Sequence, residues 1–315
     1  MPSVLLIAWN VIGPIFLMMG VGWGVQKYIG LDVRSLTKLN FWVFVPALLF
    51  VQIVESKIKP RDIGLTFVHF AIVFALMGLL SWQAARVLGA GNRLRRALTA
   101  SVLFYNSGNY GIPAAQLAFA QHQAFAVGVQ SIVIMFQNIS NFTVGLALQA
   151  GGREGSSWKS TLRSILGLPM VYTLALAWAW RALHAATGWA LPSPLEASLH
   201  FLAQGMVPVA LVTLGAQMGS LKSHRVDAPI LLALLLRLLI APLLSWGVVW
   251  ALGIRGLLAP SLVVSVSFPT AVNSALLALE FDNEPEFAAA TVFYSTLLSA
   301  VTVPLVVYAT RVVYG

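Results

Sequence analysis

The sequence predicts an all-α integral membrane protein of ten transmembrane helices, arranged as two inverted five-helix repeats with broken crossover helices 4 and 9. Three observations predict it. The 315 residues are 59% hydrophobic and 9% charged, whereas a soluble domain carries roughly 25% charged residues. This chain cannot cover a water-facing surface, as its mean hydropathy of +0.85 also says. Ten apolar stretches approach the ~20 residues that a helix needs to cross a bilayer. A constant offset of 164 residues then relates the two halves. It pairs Leu79–Trp82 with Leu243–Trp246, both reading LLSW, and Leu88-Gly89 with Leu252-Gly253. It also pairs Ser101-Val102 with Ser265-Val266, Asn109 with Asn273 and Ser131 with Ser295. Near offset 162, Pro46 pairs with Pro208. Each repeat holds five spans, an odd number, so the second enters the membrane upside down, as in many secondary transporters.

The spans follow in order. Span 1, Val4–Val25, lacks a basic leading region and a small-residue cleavage site, so it reads as a retained helix and not a signal peptide. Spans 2 (Leu36–Val54) and 3 (Ile63–Leu88) are nearly unbroken apolar runs. Span 4, Ala97–Ala120, contains FYNSGNYGIPAAQ, with two asparagines, two glycines and a proline between Asn106 and Pro113. Span 5, Ala124–Gln149, carries Gln130, Gln137 and Asn141 at i, i+7 and i+11, one helical face, with Asn138 adjacent. A Gly/Ser-rich joint, AGGREGSSWK, follows. It divides the chain into a first repeat (1–150), a cytoplasmic linker (151–160) and a second repeat (161–315). Spans 6 (Leu162–Leu183) and 7 (Leu195–Gly219) are again apolar. Span 8, Pro229–Leu252, contains a single arginine, Arg237. Span 9, Leu257–Leu279, is broken at SVSFPTAVNS, and span 10 runs Pro285–Val312.

Basic residues orient the spans. One side collects Lys27, Arg34, Lys38, Arg86, Arg93, Arg95, Arg96, Arg153, Lys159, Arg163, Lys222 and Arg225. The other collects Lys57, Lys59, Arg61, Arg181, Arg255 and Arg311. The twelve-to-six bias places the richer side in the cytoplasm and both termini outside. A net charge of +9 without a long basic run is a topology signal, not a nucleic-acid footprint. With no cysteine, no disulfide or thiolate metal site is expected.

The breaks carry the functional argument. In hydrocarbon every backbone N–H and C=O needs a partner, so a broken helix survives only where protein or a water-filled cavity surrounds it. Pro113 removes a donor and crowds the Asn109 carbonyl; Gly108 and Gly111 permit unusual backbone angles. Asn106 and Asn109 add amides that donate and accept. Pro269, Asn273 and Ser274 stand in the corresponding span. Paired breaks point to a midplane binding site, and half-helix N-termini favour an anion there.

These residues resemble the auxin efflux carrier family of bacterial permeases, related to the plant PIN-type carriers. Asn106 followed by Gly111-Ile112-Pro113 matches the family's fourth-span pattern, and Pro269 with Pro285 matches its ninth. The tenth span, VFYSTLLSAVTVPLVVY, has the family look, including the late Pro304. The resemblance covers the whole chain. It implies a fold like the bile-acid sodium symporters, with spans 3–5 and 8–10 as a transport domain. By the same resemblance, spans 1, 2, 6 and 7 would form a scaffold that often dimerises in the family. It also implies organic-anion substrates, auxins and small carboxylates among them, and substrate contact for Asn106. Where the plant pattern has Val-Pro, this chain has Asn273-Ser274, which suits a small polar anion better.

Other polar residues keep several readings. Arg237 lies about ten residues past Asp227, ~15 Å into a ~30 Å core. It is a countercharge for substrate, a member of a structural ion pair, or a side chain snorkelling to the interface. Gln130, Gln137, Asn138 and Asn141 either bond between helices or line the site. His69 in span 3 reads as a hydrogen-bonded structural residue. No Asp or Glu lies deep in a span, and no phosphate-binding loop or hydrolase element appears. An enzyme and a resident cofactor are therefore not expected. The sequence points to a secondary carrier for small organic anions in the bacterial inner membrane. The alternatives are an anion channel and a sodium-coupled symporter of the bile-acid type.

Overall fold

The computed structural model describes residues 4–55, 58–149, 167, 169–220 and 226–314. The expected linker 151–160 lies outside the described residues, as do Lys57, Arg153, Lys159, Arg163, Lys222 and Arg225. The described residues are helical almost throughout. The helices are α1 (Val4–Tyr28), α2 (Val33–Glu55), α3 (Pro60–Val87), α4 (Asn92–Leu103), α5 (Gly111–Ala118) and α6 (Ala120–Gln149). They continue as α7 (Pro169–Thr187), α8 (Ser193–Ser220), α9 (Ala228–Ala251), α10 (Leu258–Val266), α11 (Val272–Glu280) and α12 (Pro285–Tyr314). Seven of them are long and apolar enough to cross a membrane: α1, α2, α3, α6, α8, α9 and α12. The pairs α4/α5 and α10/α11 are short because each is one interrupted run.

Pro113 does not itself make the first interruption. It occupies the third position of α5, in the first turn, where a missing N–H costs little. The chain leaves helical geometry earlier, at Phe104, whose backbone is extended. Pro269 likewise stands just ahead of Ala271, the extended residue that opens α11.

Dense packing joins α1 to α8 and α7 to α2. At the first seam a methyl group on Gly22 would overlap the Val212 carbonyl, and one on Gly215 would overlap the Met19 carbonyl. Only glycine lets these backbones approach so closely. A second set of contacts joins α3 to α4 and α9, α10 to α9 and α12, and α6 to α3, α5 and α10. Between α2 and α6 the two sets meet.

Among the described residues, four helices contain a π turn: Ala8–Ile12 in α1, Asn40–Phe44 in α2, Asn141–Gly145 in α6 and Leu236–Ile240 in α9. Such turns add a residue to the helix and re-aim its side chains, often at functional sites. Three of the four carry polar residues near the interruptions: Asn40, Asn141 and Arg237.

Candidate functional site

The two interruptions touch. Tyr105 and Thr270 form an isolated antiparallel bridge. The Asn106 N–H donates to the Pro269 carbonyl at 2.8 Å, and the Ala271 N–H to the Phe104 carbonyl at 3.0 Å. Extended backbone at each break thus satisfies the other, which answers how buried backbone polar groups survive outside a helix.

Side chains complete the knot. Gln130 Nε2 donates to the Ser107 carbonyl at 2.8 Å, and its Oε1 accepts from Ser265 Oγ at 2.7 Å. One buried amide so joins both breaks. Thr270 donates from Oγ1 to the Ser101 carbonyl at 2.9 Å, and its N–H reaches Ser295 Oγ at 3.1 Å. Gln137 donates to the Leu103 carbonyl at 3.3 Å. Arg237 donates to the Val102 carbonyl at 2.9 Å and to the Val266 carbonyl, near the ends of α4 and α10. Gly111 has no room for a side chain, since a methyl carbon there would lie 2.7 Å from Gln130 Nε2 and 3.0 Å from the Phe268 ring. The Tyr110 and Phe268 rings pack 5.7 Å apart beneath the crossing.

A cavity of about 140 Å³ opens between this crossing and helices α2 and α8. Its polar lining is Thr37, Asn106, Ser107, Asn109, Gln137, Asn138, Asn141, Gln217 and Asn273. Phe41, Val45, Phe104, Tyr105, Ile134 and Val272 supply apolar walls. Among the described residues no Asp, Glu, Lys, Arg or His lines it. Amides and hydroxyls there can donate to, or accept from, a small polar molecule.

The two outgoing half-helices present different ends to this space. At α5, Asn106 Oδ1 accepts from the Tyr110 N–H at 3.2 Å, and the Asn106 carbonyl accepts from the Gly111 N–H at 2.9 Å. At α11 the residue before the helix is Ala271, which has no side-chain oxygen to offer. Val272 and Asn273 hold the first two positions of α11 and line the cavity. N–H groups there have no intrahelical partner.

Of the residues singled out in the sequence, the structure brings Asn106, Asn109, Gln137, Asn138, Asn141 and Asn273 to one cavity. It places Gly111, Pro113, Pro269, Ser274, Gln130 and Arg237 behind that lining. Gln130 Nε2 and the two Nη groups of Arg237 are spent on the breaks themselves, while the buried Arg237 Nε has no partner among the described residues. Ser274 is buried, with its Oγ unpartnered. His69 lies away from the cavity and bonds Ser245 Oγ at 3.0 Å, tying α3 to α9.

Sequence reasoning passed over Thr37, Asn40, Ser107 and Gln217. Asn40, in the α2 π turn, donates from Nδ2 to Asn109 Oδ1 at 2.9 Å. Gln217 Nε2 lies 3.4 Å from Thr37 Oγ1. Their only sequence signal is a polar side chain inside an apolar span.

A family profile described as "Membrane transport protein" matches residues 8–157 and 155–307. An "Uncharacterized transporter" of Methanothermobacter thermautotrophicus is 28% identical over 278 residues, covering 87% of this chain and 88% of the relative. A "Putative malonate transporter" of Rhizobium meliloti is 25% identical, covering 95% and 94%. "Auxin efflux carrier component 8" of Arabidopsis thaliana is 24% identical over 142 residues, 44% of this chain and 39% of the relative. This multi-pass membrane chain belongs to the membrane transport protein family, that of the auxin efflux carrier permeases whose motifs it bears.

Proposed function

We propose that this chain is a secondary carrier for small organic anions, with its substrate bound in the cavity beside the crossing. The observation that carries this reading is the cavity itself. It is polar without being charged, and the uncapped end of α11 opens into it. A carboxylate there gains N–H donors and the positive end of a helix dipole. Asn273 and Asn109 would add side-chain hydrogen bonds. The similarity to a putative malonate transporter supports a small carboxylate.

On this reading the chain has ten spans in two inverted repeats. Helices α1, α2, α7 and α8 form a scaffold, which pairs with a second copy in a homodimer. Helices α3–α6 and α9–α12 form a transport domain. That domain carries the anion across by an elevator motion, with α2 and α8 closing the site on one side. The twelve-to-six basic bias supports termini on the non-cytoplasmic face of a bacterial inner membrane.

Purified protein in liposomes loaded with unlabelled malonate should accumulate labelled malonate transiently and saturably. Ohmic single-channel currents would instead make it a channel. A strict requirement for a sodium gradient would make it a symporter. An impermeant label that reaches the 150–159 joint, but neither terminus, in intact cells would reverse the orientation.

A further inference from the structure

Arg237 is the one Asp, Glu, Lys or Arg that is buried among the described residues, at 2% exposure. Among the described residues no carboxylate lies within salt-bridge distance of it. Ion pairs among the described residues stand elsewhere, as at Arg93–Asp282 and His200–Glu55. Its guanidinium instead donates from Nη1 to the Val102 carbonyl at 2.9 Å and from Nη2 to the Val266 carbonyl. Helices α4 and α10 end at Leu103 and Val266, so both acceptors lie in the last turn of a half-helix. Last-turn carbonyls are the negative end of a helix dipole. Two negative ends therefore converge on the crossing, and one cation lies between them. A planar fork can serve two separate carbonyls, which a lysine ammonium does less well.

The cation is also close to the cavity. Its guanidinium carbon lies 4.5 Å from the centre of the Tyr105 ring. Tyr105 and Gln137 line both the small void beside Arg237 and the cavity. One layer of side chain separates the charge from the ligand space, with little water to screen it. Without that charge, the ends of α4 and α10 would repel the anion that α11 attracts.

We propose that Arg237 is a positioning residue for anion binding. It cancels the negative ends of α4 and α10 at the crossing, so that the positive end of α11 governs the cavity. It does not touch the substrate. The inference rests on reading the cavity as an anion site.

The test compares malonate with malonamate, its half-amide, which has a similar size and one charge fewer. Dissociation constants are measured on purified parent, Arg237→Met and Arg237→Lys. A lost charge–charge interaction scales with ligand charge. Arg237→Met should thus weaken malonamate about tenfold and malonate about a hundredfold. Arg237→Lys should hold both within about threefold of the parent. A purely structural clamp predicts otherwise: equal losses for the two ligands, with Lys as damaging as Met. Either that result or unchanged binding in Arg237→Met overturns the assignment, while malonate binding by the parent keeps the anion reading intact. Absence of binding by the parent removes the anion reading and this inference together. Should Arg237→Met fail to fold, Arg237→Gly is purified in millimolar guanidinium chloride. Malonate binding that needs the guanidinium supports the assignment; failure of guanidinium to restore binding overturns it.

Discussion

At the first break the chain spends its own polar groups on the half-helix that follows. Asn106 gives its side-chain oxygen to Tyr110 and its carbonyl to Gly111. At the second break, 164 residues on, the residue in the place of Asn106 is Thr270. Its side chain turns back to the Ser101 carbonyl and leaves α11 uncapped. The two breaks, paired by the offset of 164 residues, therefore differ at the point where they meet. One break has become internally satisfied. The other keeps donors open to a cavity. In hydrocarbon an open donor is expensive, so an uncapped helix end beside a polar cavity is what a binding site requires and a structural kink does not.

The largest effect should come from the residue that serves both breaks equally. Gln130→Ala removes one buried partner from Ser107 and another from Ser265. Two orphaned buried groups cost about 2–5 kcal/mol together. The variant should lose that much stability, seen as a lower Tm and a smaller monodisperse fraction. Unchanged thermal stability would mean that the breaks hold together without their shared amide.

Next come two asparagines, one at each break. Asn273 is exposed to the cavity. Asn273→Ala should leave Tm unchanged and weaken carboxylate binding by roughly 10- to 150-fold, the loss of one hydrogen bond to a charged group. Asn106→Ala should do something different. It removes the acceptor of the buried Tyr110 N–H, so Tm should fall with a cost of about 1–3 kcal/mol, and affinity should fall as α5 loses its register. Paired measurements of Tm and dissociation constant separate the cases. If both variants keep full stability and lose equal affinity, the two breaks are equivalent and the contrast drawn between them is false.

Much of the fold was legible in sequence because the bilayer simplifies the code. Span 3, expected at Ile63–Leu88, is α3 at Pro60–Val87; span 10, expected at Pro285–Val312, is α12 at Pro285–Tyr314. A long apolar run in lipid has little choice but to be helical. Gly, Pro and Asn clusters marked the breaks for the same reason. The π turns were not legible. One extra residue in a turn leaves an apolar run looking apolar, yet it decides where Asn40, Asn141 and Arg237 point. Nor could spacing divide Gln130 from Gln137. Both fall on one face of α6, but Gln130 meets the crossing and Gln137 reaches the cavity wall. The side of the cavity formed by α2 and α8 depends on how distant helices pack. Thr37 and Gln217 gave no local sign of that.

The smallest predicted effect is the most direct test, because it makes the second break resemble the first. Ala271 has the extended backbone of a helix-capping residue, at φ −71° and ψ 137°, but not the side chain. The Ser274 N–H already donates to the Ala271 carbonyl at 3.0 Å, so in Ala271→Ser the hydroxyl can accept from the N–H of Asn273, position N2. The new cap should stabilise the protein by about 0.5–2 kcal/mol, so Tm should rise slightly. The same bond takes a donor from the cavity. An incoming carboxylate must displace the hydroxyl, and a neutral hydrogen bond is worth about 0.5–1.5 kcal/mol. Malonate binding should therefore weaken by about two- to tenfold. Stability and affinity move in opposite directions, which a packing defect cannot produce, since a defect lowers both. If Ala271→Ser gains stability and binds as tightly as the parent, the open end of α11 is not where the anion sits.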